Sequence, residues 1–485
     1  MSSATVDDAT TTSPAPAAAK PLGAGRMAGW GLGGFVENQM SNGLVALVLP
    51  IYNVGLGINV VWLGWAMAIP RLLDAISDPF IGHLSDNTRS RLGRRRPWMI
   101  AGALLCAASF VLVWWPPLAW SQNWQFAWFA GFAALGFLCA GVFAIPYNAL
   151  GFEMTDDSAE RTRLQGWRFF FIIASSLAVG WMYRLSFHPW FTGVTPDGVR
   201  PEVIGARWVA VACGLLILIF GLLPAFLCRE RVEFQRQPRI SLRQASRLTL
   251  RNRVFLRFVA LVTISLLGVG LVGPLGLYIS IYHVCSGDAK FAATLAAIGS
   301  VLNTGVAIGF IPVITWIAGR IGKVRTLMIG QVVAAIGGAS AWFLLRPDMP
   351  YLSLVPVVFY AFGIGCFLIL HGSIMAEICD LDELHSGLRR EGMYGAVSAF
   401  VGKLVASLLT VVSGYVLVIS GYREGATQSA DAIWNMRALF AFVPAACLLT
   451  GLALTLRFPV TTASALRVRT LLDARRQATD GVELS

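Results

Sequence analysis

The chain has 485 residues, 56% of them hydrophobic and 13% charged, about half the charged share of a soluble domain. Mean hydropathy is +0.66, and stretches such as 101–116 and 209–227 are apolar on every helical face, which excludes an ordinary soluble enzyme. Lys and Arg number 38 against 26 Asp and Glu, for a formal net charge of +12. Nucleic acid, an acidic substrate or the anionic face of a membrane could each explain that excess, and its position along the chain decides between them.

Residues 1–26, rich in Ala, Ser, Thr and Pro, predict a disordered tail. About twelve apolar segments of spanning length follow, near 29–54, 59–84, 97–119, 125–152, 167–187, 207–228, 255–283, 291–318, 326–345, 351–378, 393–420 and 433–457. The pattern is that of an all-α membrane protein with twelve transmembrane helices in two six-helix halves, 27–228 and 255–459. A basic linker at 229–254 joins them, and a tail at 460–485 follows. The eight cysteines are scattered without a CxxC pair, so neither a disulfide scaffold nor a zinc site is expected.

Basic residues collect in alternate connections. Arg89, Arg91, Arg94, Arg95 and Arg96 follow the second segment, eight arginines lie between Arg229 and Arg253, and Arg320, Lys323 and Arg325 follow the eighth segment. The other connections carry few or balanced charges, which predicts cytoplasmic termini and makes a nucleic-acid partner unnecessary. The run from Gly82 to Arg96 is echoed from Gly319 to Arg325, so the two halves read as related repeats. Such repeats suggest a transporter that rocks around a site near the midplane.

Ionisable side chains inside apolar segments call for a functional hypothesis. Arg71, Asp74 and Asp78 share one helical face, with Ser77 beside them. Two carboxylates one turn apart suit a hard cation such as Na⁺, or a proton, because their repulsion favours protonation of one; a purely structural network is the alternative. Other candidates are Glu37, Asn38 and Asn42 in the first segment, Asn148 in the fourth, Arg168 opening the fifth, His371 and Glu377 in the tenth, and Lys403 in the eleventh. Lys403 sits too deep in apolar sequence to snorkel easily, so it is expected to face a carboxylate or a cavity. Arg94, Arg95 and Arg96 are expected either to set topology or to bind helix ends and Glu153, Asp156 or Asp157 as a cytoplasmic gate. His371 reads as an interior histidine.

The ordered run Asp74-Ala-Ile-Ser-Asp78-Pro79-Phe-Ile-Gly82, then Asp86-Asn-Thr88-Arg89 and Gly93-Arg94-Arg95-Arg96-Pro97-Trp98, resembles the glycoside–pentoside–hexuronide:cation symporters of the major facilitator superfamily. Matches continue at Gly31 to Asn38, Ile145-Pro146, Arg168-Phe169-Phe170, Glu377 to Glu383, and Arg390-Glu391 leading to Lys403. The resemblance implies a major facilitator fold and symport of a sugar or sugar derivative with Na⁺ or H⁺. It makes Asp74, Ser77 and Asp78 the cation site and Lys403 the coupling charge. Glu37, Asn38, Arg71, Asn148 and Arg168 fall at the substrate. No cofactor or resident metal is implied beyond the coupling ion, and no enzyme activity. A monomer in a bacterial inner membrane is expected.

Several positions depart from the family's best-known member. Its Lys-Asp pair in helix one is Glu37-Asn38 here, its helix-four Thr ligand falls on Gly141, the Asn of its cation motif is Ser77, and its helix-ten Trp is Leu368. These changes argue against that member's substrate. Within the family, lysolipid carriage is the alternative; outside it, a sensor or scaffold that binds without moving its ligand. A closed polar pocket lined by Glu37, Asn38 and Asn148 would speak for a sugar, and a wide apolar cavity for a lipid.

Overall fold

A computed structural model describes residues 22–155, 157–193, 199–228, 252–386, 391–424, 428–456, 458, 467–468 and 470–472. All the regular structure among the described residues is helical. The long helices are α1 (24–55), α2 (Val60–Asn87), α3 (Arg96–Val113), α4 (Gln122–Glu153), α5 (Ser158–Leu185), α6 (Pro201–Leu227), α7 (Arg253–Ile279), α8 (Ala289–Ile321), α9 (Lys323–Leu344), α10 (Val355–Ser386), α11 (Glu391–Ile419) and α12 (Ala430–Leu456). Residues 1–21 of the expected tail, 229–251 of the basic linker and most of 460–485 lie outside the described residues. α1 begins at Ala24, so the last three residues of the stretch read as tail are helical.

Among the described residues nine helices are long and apolar enough to cross a membrane, or ten when the two arms of α2 count as one span. α1 and α5 fall short for different reasons. α1 is interrupted by wide π-type turns at Gln39–Gly43 and Val48–Gly55, and the apolar part of α5 is diluted by Arg168, Ser175, Ser176 and Arg184. Both are held by packing: α1 lies along α5 and α6, burying Trp30, Phe35, Val36, Met40 and Leu44. Boundaries shift where proline dictates. α3 stops at Val113, ahead of Pro116 and Pro117, rather than running to 119. α6 starts at Pro201, since proline suits the first helical turn.

The first six long helices pack mainly on one another, as do the last six. Among the described residues the most extensive contacts between the groups are those of α2 with α11 and of α5 with α8. At the α2–α11 crossing a Cβ on Gly64 would lie 2.6 Å from the carbonyl oxygen of Thr410, so only glycine lets the backbones approach this closely. One end of this junction is closed by polar contacts. Tyr278 and Tyr422 both donate to Asn53 Oδ1, at 2.7 and 2.9 Å, and the amide of Val60 donates to Glu424 Oε1 at 3.0 Å. An apolar cluster including Val54, Val60, Leu275, Ile279 and Leu417 surrounds them.

α2 bends by 43° between Val60–Asp74 and Ser77–Asn87. Pro79 lacks the N–H that would bond the carbonyl of Ala75, so the helix loses a rung at the bend. Asp74 and Asp78 bracket it.

Candidate functional site

The two carboxylates of α2 meet the lysine of α11. Lys403 Nζ donates to Asp74 Oδ2 at 2.9 Å and to Asp78 Oδ2 at 2.5 Å. The three side chains are partly buried, and together they sum to −1. The second oxygens turn toward α4, where Gly141 leaves room: a Cβ there would stand 3.1 Å from Asp74 Oδ1 and 3.5 Å from Asp78 Oδ1. Asp74 Oδ1 is buried without a hydrogen-bond partner. An unpaired oxygen on a net negative cluster at low dielectric is costly unless a proton or cation joins it.

A second polar group lies beside this one. Arg168 of α5 donates from Nε and Nη2 to Glu37 Oε2, at 3.0 and 2.7 Å. Asn148 of α4 donates to Glu37 Oε1 at 2.5 Å and to the carbonyl of Ala144 at 2.9 Å. The approach of α1 to α5 depends on Gly34, whose Cβ would sit 2.7 Å from the Arg168 carbonyl oxygen. Glu37, Asn148, Ser41, Asp74, Asp78 and Lys403 line one cavity of about 280 Å³.

Five sequence-predicted residues thus converge: Glu37, Asp74, Asp78, Asn148 and Lys403. Others stand apart from the cavity wall. Ser77, expected as a cation ligand, directs its hydroxyl to the carbonyl of Asp74 at 3.1 Å, a common choice for a serine within a helix. Arg71 reaches the carbonyl of Ser41 at 3.3 Å and stacks over Phe137. Arg168 backs the wall by holding Glu37. Asn38 donates to Ser176 Oγ at 3.2 Å and accepts from Asn42 at 2.8 Å, away from the cavity. His371 packs between the rings of Phe258 and Phe367. Ser41 escaped sequence reasoning, although its place one turn beyond Glu37 marks the same helical face.

The arginine run acts at helix ends. Arg94 and Arg95 bond Glu153 Oε1 at 2.5 and 2.7 Å, Arg95 also reaches Asp86 at 3.4 Å, and Arg96 donates to the carbonyls of Ala225 and Phe226. These bonds fasten the α2–α3 connection to the ends of α4 and α6. Asp156 lies outside the described residues. The second half repeats the device: Lys323, opening α9, bonds Glu377 of α10 at 2.6 Å.

Among the described residues the bundle is all-helical, with nine or ten candidate spans and an ion-paired cavity between its helices; together with the family match this makes it a multi-pass membrane transporter of the major facilitator fold rather than an enzyme. The chain belongs to the MFS/sugar transport protein family, whose model matches residues 29–462. It is 28% identical to the inner membrane symporter YicJ of Escherichia coli K12, over 89% of this chain and 90% of that one. It is 25% identical to a glucuronide carrier protein homolog of the same bacterium, covering 88% and 91% of the two chains. The xylose transporter XylE of E. coli shares the fold, with a TM-score of 0.58 at 14% identity over 90% of this chain and 98% of that one.

Proposed function

We propose that this protein is a secondary active symporter, moving a sugar, glycoside or sugar derivative together with a proton by alternating access. One observation carries the reading: Lys403 bridges Asp74 and Asp78 across the contact between α2 and α11, leaving Asp74 Oδ1 buried and unpartnered. The names of relatives as symporter and glucuronide carrier homolog support coupling and a sugar-derived substrate.

A proton on Asp74 Oδ1 removes one of the two negative charges that hold Lys403, loosening the link between α2 and α11. Substrate binds the same cavity through the remaining lone pair of Glu37 Oε1 and the Asn148 amide oxygen, which accept from sugar hydroxyls. Coupling follows because each ligand stabilises the same rearrangement of the cavity. A proton is favoured over Na⁺ because a sodium site draws on several oxygens, whereas the Ser77 hydroxyl turns to its own backbone and Gly141 has no side-chain oxygen. The arginine-rich connections support a reading with both termini in the cytoplasm of a bacterial cell, and a monomer is the assembly we propose.

The test is uptake into proteoliposomes under an imposed pH gradient. Accumulation of a glycoside, pentose or uronate without sodium is expected. A strict sodium requirement overturns the proton assignment, and no gradient-driven uptake of any of these sugars overturns sugar symport.

A further inference from the structure

A second cavity, of about 310 Å³, lies among α7, α9, α10, α11 and α12. Its wall is built from Leu266, Ile364, Phe367, Val405 and Leu409 together with glycines. The polar side chains in that wall are already engaged: Gln331 donates to Ser265 Oγ at 3.4 Å, and its Oε1 accepts from Thr455, outside the wall, at 3.1 Å. A sugar would find poor partners here, whereas an apolar group loses nothing by leaving water.

The pocket and the charged cavity share one lining helix, α11. Lys403 lines the charged cavity and Gly402 the apolar pocket. Consecutive helical positions point about 100° apart, so the two spaces flank one turn of the same helix. Leu368, which also lines the pocket, is 68% exposed. A Cβ on Gly402 would meet no atom within 4 Å. A dry cavity of about 150 Å³ accepts a benzene ring, so this one has room for a bicyclic aromatic group.

From the pairing of these spaces we infer that the substrate is amphipathic: its sugar occupies the cavity of Glu37 and Asn148, and its apolar aglycone fills the pocket behind Gly402. This rests on the sugar reading above and narrows it to glycosides of aryl or comparably apolar alcohols. A lipid tail is the competing occupant.

The experiment uses the purified full chain and paired methyl and 2-naphthyl glycosides of glucose, galactose, xylose and glucuronate, with binding read by thermal stabilisation and titration. For the sugar that binds, the naphthyl glycoside is expected to bind about tenfold tighter or more. Gly402→Leu, which fills the pocket, and Leu368→Glu, which puts a charge at an exposed position of its wall, should each abolish that preference and leave methyl glycoside affinity unchanged. Unliganded melting temperatures report their folding. Equal affinity of both glycosides for the unaltered protein, or a preference that survives both variants, overturns the pocket assignment while sugar symport stands. If neither glycoside binds, the sugar reading and the pocket assignment fall together, and stabilisation by a lysophospholipid then identifies the lipid as occupant.

Discussion

Lys403 and the two aspartates it bridges sit where charged side chains are costly to keep, partly buried among apolar helices. Their geometry favours a switch over a permanent clamp, because Asp74 Oδ1 remains unpartnered with Gly141 opposite it. Asp78→Asn removes one charge and keeps the shape. A potential of 100 mV contributes about 2.3 kcal/mol per charge, enough for roughly fifty-fold accumulation. In the variant, accumulation in proteoliposomes should fall to a ratio of about one, while exchange of labelled for unlabelled substrate continues. Gradient-driven accumulation that survives the substitution would remove Asp78 from the coupling step.

Among the elements, the junction of α2 and α11 has two distinct fastenings: the ion pairs near the bend of α2, and the contacts of Asn53 with Tyr278 and Tyr422. All three members of the second group are buried. Asn53→Ala leaves two buried hydroxyls without their acceptor, a cost of about 1–3 kcal/mol for each, which moves a conformational equilibrium tenfold or more. Spin labels at Asn123→Cys and Arg423→Cys, both exposed, should report one short distance in the parent and an added longer population in the Asn53→Ala background. An unchanged distance distribution would show that this contact does not hold the end closed. Asn53 was within reach of the sequence as a polar residue in an apolar run. Its tyrosine partners were not, since they lie 225 and 369 residues away.

For the whole molecule, the excess of positive charge is expected to set orientation in the membrane. Arg94 and Arg95 with Glu153, and Lys323 with Glu377, occupy equivalent places in the two halves, so the repeat from Gly82 and from Gly319 extends from sequence into ion pairing. Basic connections are retained on the cytoplasmic side during insertion. Trp190→Cys, in a connection that the charge pattern predicts to lie outside, should react with an impermeant maleimide in intact bacteria. Arg91→Cys should react only after permeabilisation. The opposite pattern would invert the topology.

Local information determined a great deal here. Hydropathy over windows of about twenty residues marks helices wherever they fall, and a spacing of four sets Asp74 and Asp78 on one face before any packing is known. The bend between them is also local, because Pro79 removes its own hydrogen bond. Tertiary structure decided which groups meet. Lys403 finds the aspartates across 329 and 325 residues, and Arg168 turns to Glu37 instead of the cavity. Ser77, on the predicted face, still prefers a backbone carbonyl within its own helix. The apolar pocket beside Gly402 draws its wall from five helices. Pattern along a chain reports which face a residue occupies; what stands opposite that face depends on how distant helices pack, and the site's chemistry is settled there.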